Sequence, residues 1–395
     1  MKPERRRLAI IVSHPIQYYG PLHRRLAARS ELRVKAFFTW HAGDTPVLDP
    51  GFGVPVTWDI PLTEGYEYEA VPNTARNPGT DHFFGLVNPS LVTRVLAWAP
   101  DIAIVHGWAW SSHLSALRAL PRRGVCTLLH GDSHLLDAGR HGPRWWLKKA
   151  ALRRVFRWPD GFLVTGSANK AYYRAFSVDE RRLYPCPHSI DVARFARPAE
   201  AFEREAARWR RELGLRRWHR VVLFAGKFEP KKKPIELMKA ALHLGEPDVV
   251  VVMVGSGELQ QAVEHVAATK PDRFRVLPFQ NQSRMPIVYR LADLFVLPSG
   301  YNETWGLAVN EAMACGRPVL VSDRVGCAAD VVDQSCGRVF SWSEPGAMER
   351  ALKDLLGDRR RLSAMGLAAA ERAWLFDTGR TENLLVAAIS GVLGR

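Results

Sequence analysis

The sequence predicts an α/β protein of two doubly wound, Rossmann-like domains facing across a cleft. Three observations carry that prediction. The chain has 395 residues, more than one hydrophobic core usually serves. Short apolar runs alternate with helical patterns along both halves. A charged stretch at 199–217, rich in Arg, Glu and Ala, separates the two series.

In the first half, Leu8–Val12, Arg33–Phe38, Ile102–His106, Val125–His130 and Gly161–Thr165 read as buried parallel strands. Pro21–Ala28 and Pro89–Ala97 read as intervening helices. In the second half the strands are Val221–Ala225, Val249–Val254, Phe274–Leu277, Leu294–Leu297 and Val319–Ser322. Such alternation implies parallel sheets covered on both faces. The expected boundaries are 1–195 for the first domain and 196–376 for the second. The tail at 377–395 reads as a final amphipathic helix. Ligands of doubly wound sheets bind beyond the carboxyl ends of the strands, which places the expected site in the cleft.

Composition bounds the function classes. Hydrophobic residues make up 47% and charged residues 24%, as in soluble globular proteins. No segment approaches the ~20 apolar residues that span a bilayer. The run Leu8–Val12 stops at His14-Pro15, too short for a signal-peptide core, and reads as a first strand behind a basic lead-in. The cysteines at 126, 186, 315, 327 and 336 form no C-x-x-C pair. That argues against a disulfide framework or zinc site and for a reducing cytoplasm. A net charge of +15 attracts polyanions: nucleic acid, anionic lipid or anionic small substrates.

The chemistry concentrates in the second half. After the strand ending at Leu297, a polar loop carries Glu303, Gly306 opens a helix at Leu307, and Glu311 lies about two turns into it. Glycine there permits close backbone approach, and the free amides of a helix start favour an anionic ligand. Two carboxylates so placed suit hydrogen bonds to sugar hydroxyls; the bland alternative is a Glu311 that faces solvent. A second element runs Gly226-Lys227-Phe-Glu-Pro-Lys231-Lys232-Lys233 after the strand Val221–Ala225. Two lysines at a strand's end suit a pyrophosphate clamp that needs no metal, while the others read as solvated. The Gly255-Ser256-Gly257 turn lacks the third glycine of a dinucleotide fingerprint and reads as structural.

In the first half, Gly20 marks a loop opening a helix, and His130 stands at a strand's carboxyl end. His14 is a further candidate, and His188 lies in a turn joining the halves. The stretch 140–157 alternates Arg144, Lys148, Lys149, Arg153, Arg154 and Arg157 with Trp145, Trp146, Leu147, Leu152, Val155 and Phe156, and contains no acidic residue. One reading is docking on anionic lipid. The favoured reading is a surface helix with a buried apolar stripe and a solvated basic face.

These motifs resemble the GT-B-fold glycosyltransferases of family 4 (glycosyl transferases group 1), which are retaining enzymes. The resemblance spans nearly the whole chain and is strongest from Val221 to Phe340. It implies that Glu303 contacts the transferred sugar and Glu311 the donor ribose. It implies that Gly226, Lys227 and Lys232 meet the diphosphate, with lysine where the family usually has arginine. The backbone of Gly306 and Leu307 would meet the sugar or diphosphate. Tyr19-Gly20 corresponds to the acceptor-side loop, with one glycine only, and His130 to the family's cleft histidine. The tail helix would cross back to the first domain.

The implied activity is retaining transfer from a nucleoside-diphosphate-sugar to a carbohydrate or lipid-linked acceptor, in bacterial polysaccharide or glycolipid synthesis. No cofactor and no metal are expected, since no Asp-x-Asp pair is present. The expected location is cytoplasmic, with weak association to the inner face of the plasma membrane and no specific nucleic acid. A sugar-nucleotide 2-epimerase on the same fold and a non-catalytic carbohydrate-binding protein are the alternatives. The paired glutamates with the Gly-Leu helix start favour transfer.

Overall fold

The computed structural model describes residues 5–41, 47–49, 54–137 and 142–394. The chain divides into two compact units. The first takes Met1–Pro46, Ile60–His188 and Thr378–Arg395; the second takes Val47–Asp59 and Ser189–Asp377. The division after His188 falls ahead of residue 195, and Val47–Asp59 groups with the second unit although first-unit sequence flanks it.

The first unit is built on a sheet of strands β1 (Arg6–Val12), β2 (Leu32–Phe38), β5 (Glu67–Ala70), β6 (Ile102–His106), β7 (Cys126–Gly131), β8 (Gly161–Val164) and β9 (Leu183–Pro185). Their order is β5-β2-β1-β6-β7-β8-β9, and every pairing is parallel. Alternation along β1 feeds two cores. Ala9 and Ile11 join one with Val105, Leu129 and Phe162. Leu8 and Ile10 join the other with Ile104, Leu128 and Leu163. Successive strand residues point to opposite faces, so a sheet with helices on both sides needs apolar residues at every position.

The C-terminal helix Thr378–Leu393 belongs to this unit. Its Leu385, Ala388, Ile389 and Val392 complete the second of those cores beside Leu22 and Leu26. Glu382, almost buried, is gripped by Arg25 Nε at 2.6 Å and Arg29 Nε at 2.5 Å.

In the second unit, β10 (Arg220–Ala225), β11 (Val249–Val254), β12 (Phe274–Leu277), β13 (Leu294–Leu297), β14 (Val319–Ser322) and β15 (Gly337–Phe340) form another sheet. Its order is β12-β11-β10-β13-β14-β15, again parallel throughout. A short antiparallel hairpin, β3 (Val47–Asp49) with β4 (Val54–Val56), stands apart from both sheets. The segment that follows the hairpin is fastened to the loop after β12. Asn281 Nδ2 donates to the Thr57 carbonyl at 2.6 Å, the Ser283 amide donates to Asp59 at 3.0 Å, and Trp58 meets Phe279 edge-on.

Truncating Leu385 to Ala removes a fully packed side chain from the first unit's core. It is expected to destabilise that unit by ~2–5 kcal/mol, read as a lowered thermal midpoint.

Candidate functional site

In the second unit the strand order reverses between β10 and β13, and the loops leaving their carboxyl ends diverge there. Doubly wound sheets bind ligands at such a point. The loop after β10 runs through Gly226 and Lys227 into a single turn, Pro230–Lys232. The loop after β13 runs from Pro298 to Gly306. Gly300 N donates to the Lys231 carbonyl at 2.8 Å and ties the two loops together. Lys232 Nζ forms a hydrogen-bonded ion pair with Glu303 Oε2, which also accepts from Ser299 Oγ at 3.0 Å.

Glu303 is buried. Burial opposes its charge, but the Lys232 ammonium and the two hydrogen bonds outweigh that, holding the carboxyl below its ordinary range. The other lysines of the run have partners of their own. Lys231 pairs with Glu229 at 3.2 Å, and Lys233 pairs with Glu236 at 3.3 Å. Lys233 also rests against the rings of Tyr301 and Trp342. Lys227 is half-buried, one residue beyond Gly226.

Gly306 precedes the helix Leu307–Ala314 with φ +93°, and a Cβ there would come within 2.8 Å of Leu297 and 2.9 Å of Val325. No acidic residue occupies the first turn of that helix. Its positive end therefore carries no carboxylate of its own, a few residues along the chain from Glu303. Glu311 does not face solvent. It is 2% exposed, and Tyr289 donates to its Oε2 at 2.6 Å. Gly226 N donates to Val254 O, and a Cβ on Gly255 would meet the Gly226 carbonyl at 1.9 Å. The Gly255-Ser256-Gly257 turn is thus a backbone contact between the ends of β10 and β11.

In the first unit, β6 and β7 place His106 directly beside His130. Their rings are 4.8 Å apart, with His188 at 5.7 Å and Tyr19 at 5.9 Å from His130. His130 is buried, and its Nε2 has no hydrogen-bond partner among the described residues. Burial pushes its pKa down to about 3, with a smaller contribution from His188 and His23. Burial likewise takes His23 to about 3 and holds His106 well below the ordinary imidazole range. At neutral pH the cluster is uncharged. Gly20 lies inside the first turn of the helix Tyr19–Ala27, not in a loop. A Cβ there would sit 2.7 Å from the Leu62 carbonyl, so a backbone contact accounts for the glycine. His14 packs against Trp40 and His41.

Sequence reasoning missed Ser299, Tyr289, His106 and His23. His106 was within reach: it ends a strand that neighbours the one His130 ends. Ser299 and Tyr289 carry no sequence signal of their own. Among the described residues, no group of three or more His, Cys, Asp or Glu is placed to hold a metal, and no helix is long and apolar enough to cross a membrane.

Residues 205–372 match the model for glycosyl transferases group 1, and 53–194 match that for glycosyltransferase family 4. A D-inositol 3-phosphate glycosyltransferase from Nocardia farcinica is 37% identical over 58% of this chain. The alignment spans 52% of that protein, so the chain covers about half of this relative's length. Sucrose-phosphate synthase from Thermosynechococcus elongatus superposes with a TM-score of 0.73 at 19% identity, covering 99% of this chain and 100% of that one. Anabaena HepE, solved in complex with UDP, gives 0.73 at 15% identity, covering 97% and 99%. These likenesses show the GT-B fold.

Two outcomes test the site's physics. Histidines with depressed pKa values leave the unfolded state holding more protons below about pH 6.5. Stability is therefore whole above that pH and falls as pH drops toward 3. The urea midpoint is expected to decline from pH 7 to pH 5, and less steeply in His130→Gln. Gly306→Ala, strained at its positive φ, is expected to cost ~1–3 kcal/mol in thermal unfolding.

Proposed function

The chain belongs to the glycosyl transferases group 1, and on that premise we propose that it moves a sugar from a nucleoside-diphosphate-sugar to an acceptor hydroxyl with retention at the anomeric carbon. The observation that carries the reading is the partly buried Lys232–Glu303 pair, set where the strand order reverses and beside a helix whose first turn has no acidic residue.

The assignment of parts follows from charge. The donor diphosphate lies against the amides of Gly306 and Leu307, with Lys227 and Lys232 as its counter-charges. Charge that develops on the departing diphosphate is met by fixed positive groups, which do not reorganise during the reaction. No metal is required for that step. Glu303 faces the transferred sugar, where a carboxylate favours positive charge growing at the anomeric carbon. Glu311, positioned by Tyr289, takes the ribose, as the family resemblance implies. Gly226 leaves the backbone room to approach the phosphates. His130 is neutral and supplies a hydrogen-bonding group to the substrate, not a phosphate counter-ion. The acceptor hydroxyl attacks from the face the diphosphate leaves, and the leaving oxygen takes its proton.

Glu303→Gln and Lys232→Ala are each expected to lower the transfer rate about 100-fold or more while circular dichroism stays that of a folded protein. Full activity in both overturns the assignment. Transfer is expected to survive a chelator, and strict dependence on a divalent ion contradicts the lysine clamp. The donor is identified by thermal shift against UDP-, GDP-, ADP- and dTDP-sugars. A ligand at 100 times its Kd adds about 2.7 kcal/mol to stability. UDP-sugars come first because HepE was solved with UDP. A polyol phosphate comes first among acceptors, after the name of the Nocardia relative.

A further inference from the structure

The expectation for 140–157 was a helix with an apolar stripe inside and a basic face outside. Arg140 and His141 lie outside the described residues; the helix runs Pro143–Val155. Its inner stripe is as expected. Leu152 is buried, and Trp145 packs edge-on against Phe176. Phe156, just past the helix end, is buried with them.

The outer face is different. Trp146 is 62% exposed and Leu147 71%, and Ala150 and Ala151 continue the same apolar surface. A tryptophan and a leucine left in water forgo the stabilisation that burial of their apolar area would give. Around this patch stand Lys148, Lys149, Arg153, Arg154 and Arg157. None has an ion-pair partner among the described residues; Arg153 bonds only the Ser177 hydroxyl. Several arginines elsewhere in the fold are matched, as Arg25 and Arg29 are by Glu382, Arg174 by Glu180 and Arg220 by Asp248. From 138 to 159 the sequence holds no acidic residue.

We propose that the outer face of the helix Pro143–Val155 docks on an anionic lipid bilayer, with Trp146 and Leu147 entering the headgroup boundary and the flanking cations lying on the phosphates. Charge alone fits any polyanion. An indole and an isobutyl group presented at the centre of the cationic patch fit a surface with an apolar interior beneath its charge. A nucleic acid offers phosphates but no such interior along its backbone. The helix lies in the first unit, and the Lys232–Glu303 pair lies in the second.

The test is sedimentation of the full chain with vesicles, without donor or acceptor, so it stands or falls separately from the transferase reading. Wild type is expected to pellet with phosphatidylcholine–phosphatidylglycerol vesicles, to stay in the supernatant with pure phosphatidylcholine, and to be released by salt. Trp146→Ser with Leu147→Ser is expected to lower partition about tenfold or more. Lys148→Glu with Arg154→Glu is expected to lower it about 25-fold, at roughly tenfold per 1.4 kcal/mol and ~1 kcal/mol per cation. All four side chains are on the surface, and an unchanged thermal midpoint shows that the variants fold. Wild type remaining in the supernatant with the anionic vesicles overturns the proposal, as does pelleting that survives either pair of substitutions. RNA binding with no vesicle binding overturns it in favour of a nucleic-acid surface.

Discussion

A parallel sheet that places its first strand between its second and its fourth must part its loops at one edge. In the second unit that parting lies between β10 and β13, and the chemistry collects there. The β10 loop contributes Lys232, and the β13 loop contributes Ser299 and Glu303. Gly306, at the end of the β13 loop, turns the chain into a helix whose amides point back at the same place. Ser299, Glu303 and Gly306 share one loop, but Lys232 lies 71 residues before Glu303 in sequence. They meet because every strand runs the same way and delivers its loop to the same edge.

The ion pair that results is largely out of water, with Glu303 buried and Lys232 partly so. Two charges taken out of water recover their desolvation only when well paired and hydrogen-bonded, and a buried charge left alone costs several kcal/mol. Ser299 supplies the extra hydrogen bond for Glu303, and Lys232 supplies the charge. The neighbouring lysines are held elsewhere by Glu229 and Glu236. The run of three that looks in sequence like one cationic patch is therefore three differently committed residues, with a single member joined to the Glu303 carboxylate.

Much of this was legible in the sequence for a physical reason. Strands covered on both faces must be apolar throughout, and Val249–Val254 and Leu294–Leu297 announce themselves that way. Of the strands that escaped notice, β3 and β4 form the separate hairpin, and β5, β9 and β15 lie at sheet edges. There one side lacks a partner strand and the residues become polar, as in Glu67–Ala70. Gly306 and the Glu303–Glu311 spacing were readable because a sharp strand-to-helix turn restricts residue type. Tyr289 and His23 were not, since a tyrosine or histidine within a helix looks the same whether it touches a core or a carboxylate. The outward Trp146 and Leu147 were unreadable for the same reason: the helix has apolar residues on both sides, and only packing decides which side the core takes. Gly20 was expected in a loop and instead lies in the first turn of a helix, where its backbone packs closely on Leu62.

The C-terminal helix has a consequence for how the molecule is made. Leu385, Ala388, Ile389 and Val392 close a core whose other walls are β1, β6, β7 and β8, all synthesised long before. During translation that face of the first sheet waits uncovered while the whole second unit emerges from the ribosome. Arg25 and Arg29 wait with it, as the carboxylate that neutralises them sits at position 382. The second unit has all six strands of its parallel sheet in one continuous stretch from Ser189 onward and is the one whose sheet is able to finish first. The domain begun earliest is thus completed only when the helix Thr378–Leu393 arrives, and until then the apolar face it covers is open to aggregation.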